Sequence, residues 1–301
     1  MRILVVGAGA MGSFIGGLLS RRNDVTLVGR RKHVEAIRRS GLRITGKTQI
    51  VVRPRVATSL RERPKANLVV IATKSYDTEA ALHSVRSLWR TALFLTLQNG
   101  LDNPATIARR TKRVVAGTTG IGVTFLRVGE VRHAGIGDTV VGPYAGADKD
   151  DAVLVRNLFT EAGIPTELSE DIHRDLWLKV IANSAINPLT AITGLKNGAI
   201  GRLPWLGEAV ASVCRESAGV ARAAGIEIDD NDAVRRTMKI ALRTRDNRSS
   251  MLQDFEARRR TEVDAINGAI VRAAAHHGAS APLNAALRAL VLGIEHSWRV
   301  E

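Results

Sequence analysis

The chain has 301 residues, 45% of them hydrophobic, and a formal charge of +15 from 44 Lys+Arg against 29 Asp+Glu. That length suits about two domains, and the composition excludes a disordered chain. A single cysteine, Cys214, excludes an internal disulfide and a cysteine-based metal centre, and a cytoplasmic location is the natural reading; no metal-binding residues are singled out.

The N-terminus lacks the basic, apolar, small-residue layout of a secretory signal. The apolar stretch 3–19 is broken by glycines and opens like a strand, so it is not read as a membrane helix. Strand "RILVV" leads into "GAGAMGSFIGGLL", which sets Gly7, Gly9 and Gly12 before an apolar helix. Gly7 allows a tight turn, Gly9 lets backbone amides approach a pyrophosphate, and Gly12 lets the helix pack on the strand. Residues Gly7, Ala8, Gly9, Ala10, Met11 and Gly12 are therefore the expected dinucleotide loop. The second strand, "DVTLVG", ends in Arg30 and Arg31 where an NAD site usually carries an acid. Two guanidiniums suit a 2′-phosphate, so the expected cofactor is NADP; the plainer reading is an exposed basic turn.

Further strands follow in "IVVRPRVA", "ANLVVIAT", "TALFLTLQ" and "KRVVAG", several of them near-continuous apolar runs typical of parallel strands covered on both faces. Lys74 and Asn99 fall just past two of these strands, where open parallel sheets face their ligands. From about residue 121, "GVTFLRVGEVRHAGIGDTVVG" predicts antiparallel strands that finish the sheet. His133 in it is a candidate acid, or a hydrogen-bonded turn histidine. After Pro165 the strands are expected to stop, with helices near 171–186, 206–224, 230–244, 260–277 and 283–297. The pattern predicts an α/β class: a Rossmann-type doubly wound sheet in a domain spanning 1–168, then an all-α domain over 169–301, with the ligand cleft between domains.

The helical half carries unusual polar groups. Lys179, Asn183 and Asn187 share one face of "WLKVIANSAINPLTA", in a stretch that otherwise wants a core, so something must partner or face them. Asn197 follows in "GLKNG", and "SSMLQDFEARRRTEVDAING" brings Ser249, Ser250 and Glu262. Thr261 and Asp264 form a capping pattern that would put Glu262 in a first helical turn, as a partner for Lys179. The basic excess is scattered from Arg21 to Arg299 and aromatics are only 4%, so a basic surface or a cleft for anionic small molecules is expected rather than nucleic acid.

These motifs resemble the ketopantoate reductases (2-dehydropantoate 2-reductases) over essentially the whole chain: the GxGxxG, the Lys after the fourth strand, "QNG", "HAGIG", W-x-K-x-x-x-N-x-x-x-N-P-L-T-A and "SSMLQD…TEVDAING". The resemblance implies NADPH-dependent reduction of 2-dehydropantoate to pantoate in pantothenate and coenzyme A synthesis. It implies Lys179 as general acid assisted by Glu262, and Asn183, Asn187, Asn197, Ser250 and Asn99 on the substrate. Arg30, Lys74, Asn99 and Glu262 would serve the cofactor or active site, and the helical domain would be of the 6-phosphogluconate dehydrogenase C-terminal type. Asp102 departs from the family pattern, where a glycine is expected. The implied partner is a small 2-oxo acid, with no nucleic acid and no membrane, in a monomer or homodimer. Reduction of another 2-oxo acid or an imine, or a non-catalytic basic NADP-sensing or nucleic-acid-binding protein, are the alternatives.

Overall fold

A computed structural model describes residues 1–60 and 64–300. The strands in chain order are β1 (Arg2–Val6), β2 (Asp24–Val28), β3 (Leu42–Gly46), β4 (Ile50–Val52), β5 (Arg55–Ala57) and β6 (Leu68–Ile71). After them come β7 (Leu93–Thr96), β8 (Val114–Thr119), β9 (Gly122–Arg127), β10 (Glu130–Gly135), β11 (Thr139–Ala145) and β12 (Thr166–Leu168). The helices are α1 (Ala10–Leu19), α2 (Arg31–Ser40), α3 (Thr78–Ser84), α4 (Asp102–Ala108), α5 (Lys149–Glu161) and α6 (Ile172–Thr193). They continue as α7 (Ala199–Arg202), α8 (Pro204–Ala223), α9 (Asp230–Arg243), α10 (Ser250–Glu256), α11 (Asn267–His276) and α12 (Pro282–Val300). The chain divides into two compact units, one of residues 1–98 and 103–172, the other of residues 99–102 and 173–301. Among the described residues no helix is long and apolar enough to cross a membrane.

In the first unit the described strands form an eight-stranded sheet ordered β12-β11-β8-β7-β6-β1-β2-β5. Its parallel members, counted along the chain, run 3-2-1-4-5-6, the order of a dinucleotide-binding doubly wound sheet. All four residues of β6 and of β7 are buried, which explains their unbroken apolar sequences. Register aligns Val6 with Val28 and Ile71, and Ile71 with Thr96. The segments after β1, β2, β6 and β7 therefore leave the sheet along one edge.

The expected completion of this sheet by residues 121–142 is corrected. Only β11 joins it, antiparallel to β8. The β9–β10 hairpin instead pairs with β3, a strand the sequence reading did not anticipate, in a second sheet ordered β4-β3-β10-β9. The reason lies in α1, whose residues Gly12–Leu19 are all buried, so both of its sides need cover. A Cβ at Gly16 would lie 2.2 Å from Leu27 of the large sheet, and one at Gly17 would lie 2.9 Å from Leu42 of the small sheet. The two glycines thus let a sheet close on each side. "IVVRPRVA" also proves to be two strands split around Pro54, one in each sheet, and β12 continues the large sheet after Pro165.

The second unit is helical and closes around Val180, Ile181, Val210, Cys214, Ala218, Ile270 and Val291. Helix α6 was expected to stop near residue 186, but it runs through Pro188 to Thr193. Proline cannot supply the amide that Ser184 O would accept in a regular helix. Asn267 supplies it instead, its Nδ2 lying 3.0 Å from Ser184 O. The helix expected at 260–277 begins only at Asn267. Glu262 lies in the turns before it, and the expected capping box does not form. Thr261 Oγ1 donates to Glu295 Oε1 at 2.6 Å, while the Asp264 carboxylate takes Arg288 at 2.7 Å.

Candidate functional site

The glycine loop leaves β1 and enters α1 with Gly9 as N-cap. Gly7 has φ +108°, and a Cβ there would sit 2.6 Å from the backbone of Ala72. A Cβ at Gly12 would lie 2.0 Å from Gly7 O. Both glycines are thus demanded by the protein itself. Gly9 is not, because a Cβ there would meet nothing within 4 Å. The open space at Gly9 faces first-turn amides of Ala10, Met11 and Gly12, which have no intrahelical acceptor. That is a cradle a Cβ would fill, and it fits the pyrophosphate of a dinucleotide at a helix N-terminus.

Arg30 caps α2 directly after β2, its carbonyl accepting from His33 N and Val34 N, and its exposed side chain has no hydrogen bond or ion pair among the described residues. Arg31 is also exposed and pairs at 3.1 Å with Glu35, a surface contact worth little. Helix α2 is held to its neighbours by His33, which the sequence reading missed. Gly129 N donates to His33 Nδ1 at 2.9 Å, so the proton sits on Nε2 and points at Ser13 Oγ, 3.0 Å away. Burial lowers the pKa of this imidazole and favours that neutral form.

Lys74 follows β6 and is half-buried. Its loop is fixed by Gln98, a second residue without an assigned role in the sequence reading. Gln98 Nε2 donates to Thr73 O at 2.8 Å and Thr78 Oγ1 at 2.9 Å, and Oε1 accepts from Thr96 Oγ1 at 3.0 Å. His133 lies in β10 of the small sheet, 2.9 Å from Thr48 Oγ1 through Nδ1 and with its ring 4.8 Å from Phe14. Burial lowers its pKa.

In the helical unit, hydrogen bonds join three of the singled-out residues. Asn183 Nδ2 donates to Asn99 Oδ1 at 3.3 Å, and Asn99 Nδ2 donates to Glu262 Oε2 at 3.2 Å. Asn99 reaches this unit because Gly100, at φ +103°, packs where a Cβ would strike Ala265 O at 2.5 Å. Two turns further along α6, Thr190 Oγ1 donates to Ser249 Oγ at 2.8 Å, and Ser249 caps α10 through Leu252 N. Ser249 is therefore a buried structural cap, whereas Ser250 beside it is exposed. Asn197 is tied to the segment leading there: its backbone amide bonds Asn247 O, and its Nδ2 bonds Thr244 Oγ1 at 2.8 Å. Its Oδ1 is left buried and unsatisfied. Asn187, only 5% exposed, has no side-chain hydrogen bond among the described residues.

The expected Lys179–Glu262 ion pair is absent among the described residues. Glu262 is engaged by Asn99, and burial without a compensating anion lowers the pKa of Lys179. The reason is the shifted helix start, which puts Glu262 in a turn facing Asn99. The α6 face therefore presents a bonded amide, Asn183, between an ammonium and an amide that have no protein partner. Such an arrangement can donate protons and hydrogen bonds to an anionic, oxygen-rich ligand.

The chain matches the family model "Ketopantoate reductase PanE/ApbA" over residues 3–146 and its C-terminal counterpart over residues 171–295. A 2-dehydropantoate 2-reductase of Pyrococcus horikoshii is 39% identical over 292 residues, covering 97% of this chain and 96% of that protein. The crystal structure of a PanE/ApbA family ketopantoate reductase from Ralstonia eutropha JMP134 has a TM-score of 0.90 at 33% identity, covering 99% of this chain and 100% of that one. The ternary structure of D-mandelate dehydrogenase with NADH and anilino(oxo)acetate has a TM-score of 0.91 at 26% identity, covering all of both chains. With the glycine loop at one sheet edge, the Lys/Asn face on α6 and both family models covering most of the sequence, the chain belongs to the ketopantoate reductase family.

Proposed function

We propose that this protein reduces 2-dehydropantoate to pantoate with NADPH, a step of pantothenate and coenzyme A synthesis. The observation that carries this reading is Lys179: a desolvated ammonium with no protein partner, on the same helix face as two carboxamides. When bound, the nicotinamide cofactor supplies the hydride. Gly7 to Gly12 hold its pyrophosphate, Arg30 and Arg31 its 2′-phosphate, and Lys74 lies on the same sheet edge. Lys179 Nζ gives its proton to the carbonyl oxygen as negative charge develops there, and takes another from solvent. Its lowered pKa makes it a stronger acid than an ordinary lysine. Asn183, Asn187, Asn197 and Ser250 orient the carboxylate and hydroxyl of the keto acid without bringing a competing charge. Glu262 acts through Asn99, holding the amide that in turn accepts from Asn183.

Because the D-mandelate dehydrogenase with this fold is seen with NADH, the fold alone does not choose the cofactor. The choice rests on the two arginines, and two charge-assisted hydrogen bonds support at least about a tenfold preference for NADPH. The test follows NADPH and NADH oxidation with 2-dehydropantoate beside a panel of other 2-oxo acids. The highest kcat/KM is expected for 2-dehydropantoate with NADPH. In Arg30→Ala/Arg31→Ala the cofactor preference should vanish while NADH use persists. Faster turnover of another 2-oxo acid would overturn the substrate, and equal wild-type use of both cofactors would overturn the role of the arginines.

A further inference from the structure

We propose that Asn267 is a positioning residue for this reduction, tethering the Glu262 turn to α6 through the Ser184 carbonyl that Pro188 leaves without its helical donor. The inference rests on the functional reading above.

The orientation of Asn267 follows from a chain of hydrogen bonds with fixed polarity. The Glu216 carboxylate can only accept, and it takes Leu283 N, Asn284 N and Asn284 Nδ2, each at 2.8 Å. Asn284 must therefore turn its Oδ1 the other way, toward Asn267 Nδ2 at 3.0 Å. The second hydrogen of that same Nδ2 goes to Ser184 O, also at 3.0 Å. Asn267 Oδ1 is left buried with no partner. The residue thus tolerates an orphaned acceptor in order to deliver both donors, and one of them goes to a carbonyl that a regular helix would have satisfied itself.

What the tether holds is the turn that bears Glu262. The amides of Ala265 and Ile266 bond Glu262 O, Gly268 N bonds Val263 O, and the chain passes straight from these turns into Asn267. The far side of the same turn reaches α6 by the other route, Glu262 to Asn99 to Asn183. The contacts close a ring whose two ends are consecutive α6 residues, Asn183 and Ser184. An alanine at 188 would supply the missing helical amide and make the turn share the Ser184 carbonyl with it. The pairing of Pro188 with Asn267 therefore puts a buried acceptor where the Glu262 turn can use it.

The test compares Asn267→Ala, Pro188→Ala and the double variant, using melting temperature, kcat and KM for the keto acid, and amide hydrogen exchange at Ala265 and Ile266. Asn267→Ala is expected to lower the melting temperature, speed exchange in the turn, and cut kcat roughly 10- to 100-fold through misplacement, with cofactor affinity unchanged. In the double variant the new amide at 188 satisfies Ser184 O, so the melting temperature should partly recover. Turn exchange should stay fast and kcat low. Recovery of kcat together with stability would show that Asn267 merely repairs the helix, and unchanged exchange in Asn267→Ala would equally overturn the proposal. A wild type without turnover on any 2-oxo acid would sink the functional reading, while the exchange measurements would still decide the tether.

Discussion

Lys179→Met is expected to cut kcat by about 10²-fold or more, the usual weight of a positioned proton donor, while leaving the fold as stable as before or more so. The second half of that expectation comes from the structure. Lys179 has no ion pair among the described residues, and desolvation lowers its pKa. Methionine keeps a similar length of stem and removes a charge that folding disfavours. The sign of the pH effects follows. Between the lowered folded pKa and the ordinary lysine value, the unfolded chain binds more protons than the native one, so wild-type stability should rise with pH in that window. The variant should lose that slope. Turnover runs the other way: a general acid must hold its proton, so the wild-type rate should fall as pH rises through the lowered pKa. Lys179→Arg should not restore turnover, because guanidinium is too weak an acid. Near-normal kcat in Lys179→Met would make the lysine a spectator, and a marked loss of stability would make it structural.

The parts of the fold legible in the sequence were those with a local period or a fixed backbone requirement. Buried parallel strands such as β6 and β7 show as apolar runs, and Gly7 and Gly12 show because their conformations and contacts exclude a side chain. The second sheet was not legible. Nothing in "GVTFLRVGEVRHAG" says which strand it pairs with, and the partner is chosen by the far side of α1, long-range packing that has no local signature. Glu262 was singled out, yet its partner was misjudged, since a capping pattern is two residue types at a spacing and cannot tell a helix start from a succession of turns. His33, Gln98 and Asn267 escaped notice for a related reason. Each acts through bonds to backbone or side chains distant in the chain, as with His33, whose contacts at Ser13 and Gly129 lie 20 and 96 residues away. Pro188 was the one visible clue to Asn267: a proline inside an otherwise helical apolar run implies a carbonyl in need of a donor.

Gly9→Ala and Gly12→Ala should separate a glycine kept for a ligand from one kept for the fold. At Gly12 the added methyl would lie 2.0 Å from Gly7 O, a backbone atom that cannot swing aside. That variant should be clearly less stable and should bind dinucleotide poorly as a consequence. At Gly9 the methyl would meet no protein atom within 4 Å, and φ is −79°, a value any residue adopts. Unfolding free energy there should shift by no more than about 1 kcal/mol, since the entropy gained by removing a glycine opposes the poorer N-cap. Dinucleotide affinity should nevertheless fall by roughly 10- to 100-fold, because the methyl occupies the approach to amides whose hydrogen bonds to a charged group are worth about 1.5–3 kcal/mol each. Thermal unfolding and cofactor titration on both variants provide the comparison. If Gly9→Ala binds NADPH like the wild type, the open space at the start of α1 is not where the pyrophosphate rests, and the dinucleotide assignment would have to stand on the arginines alone.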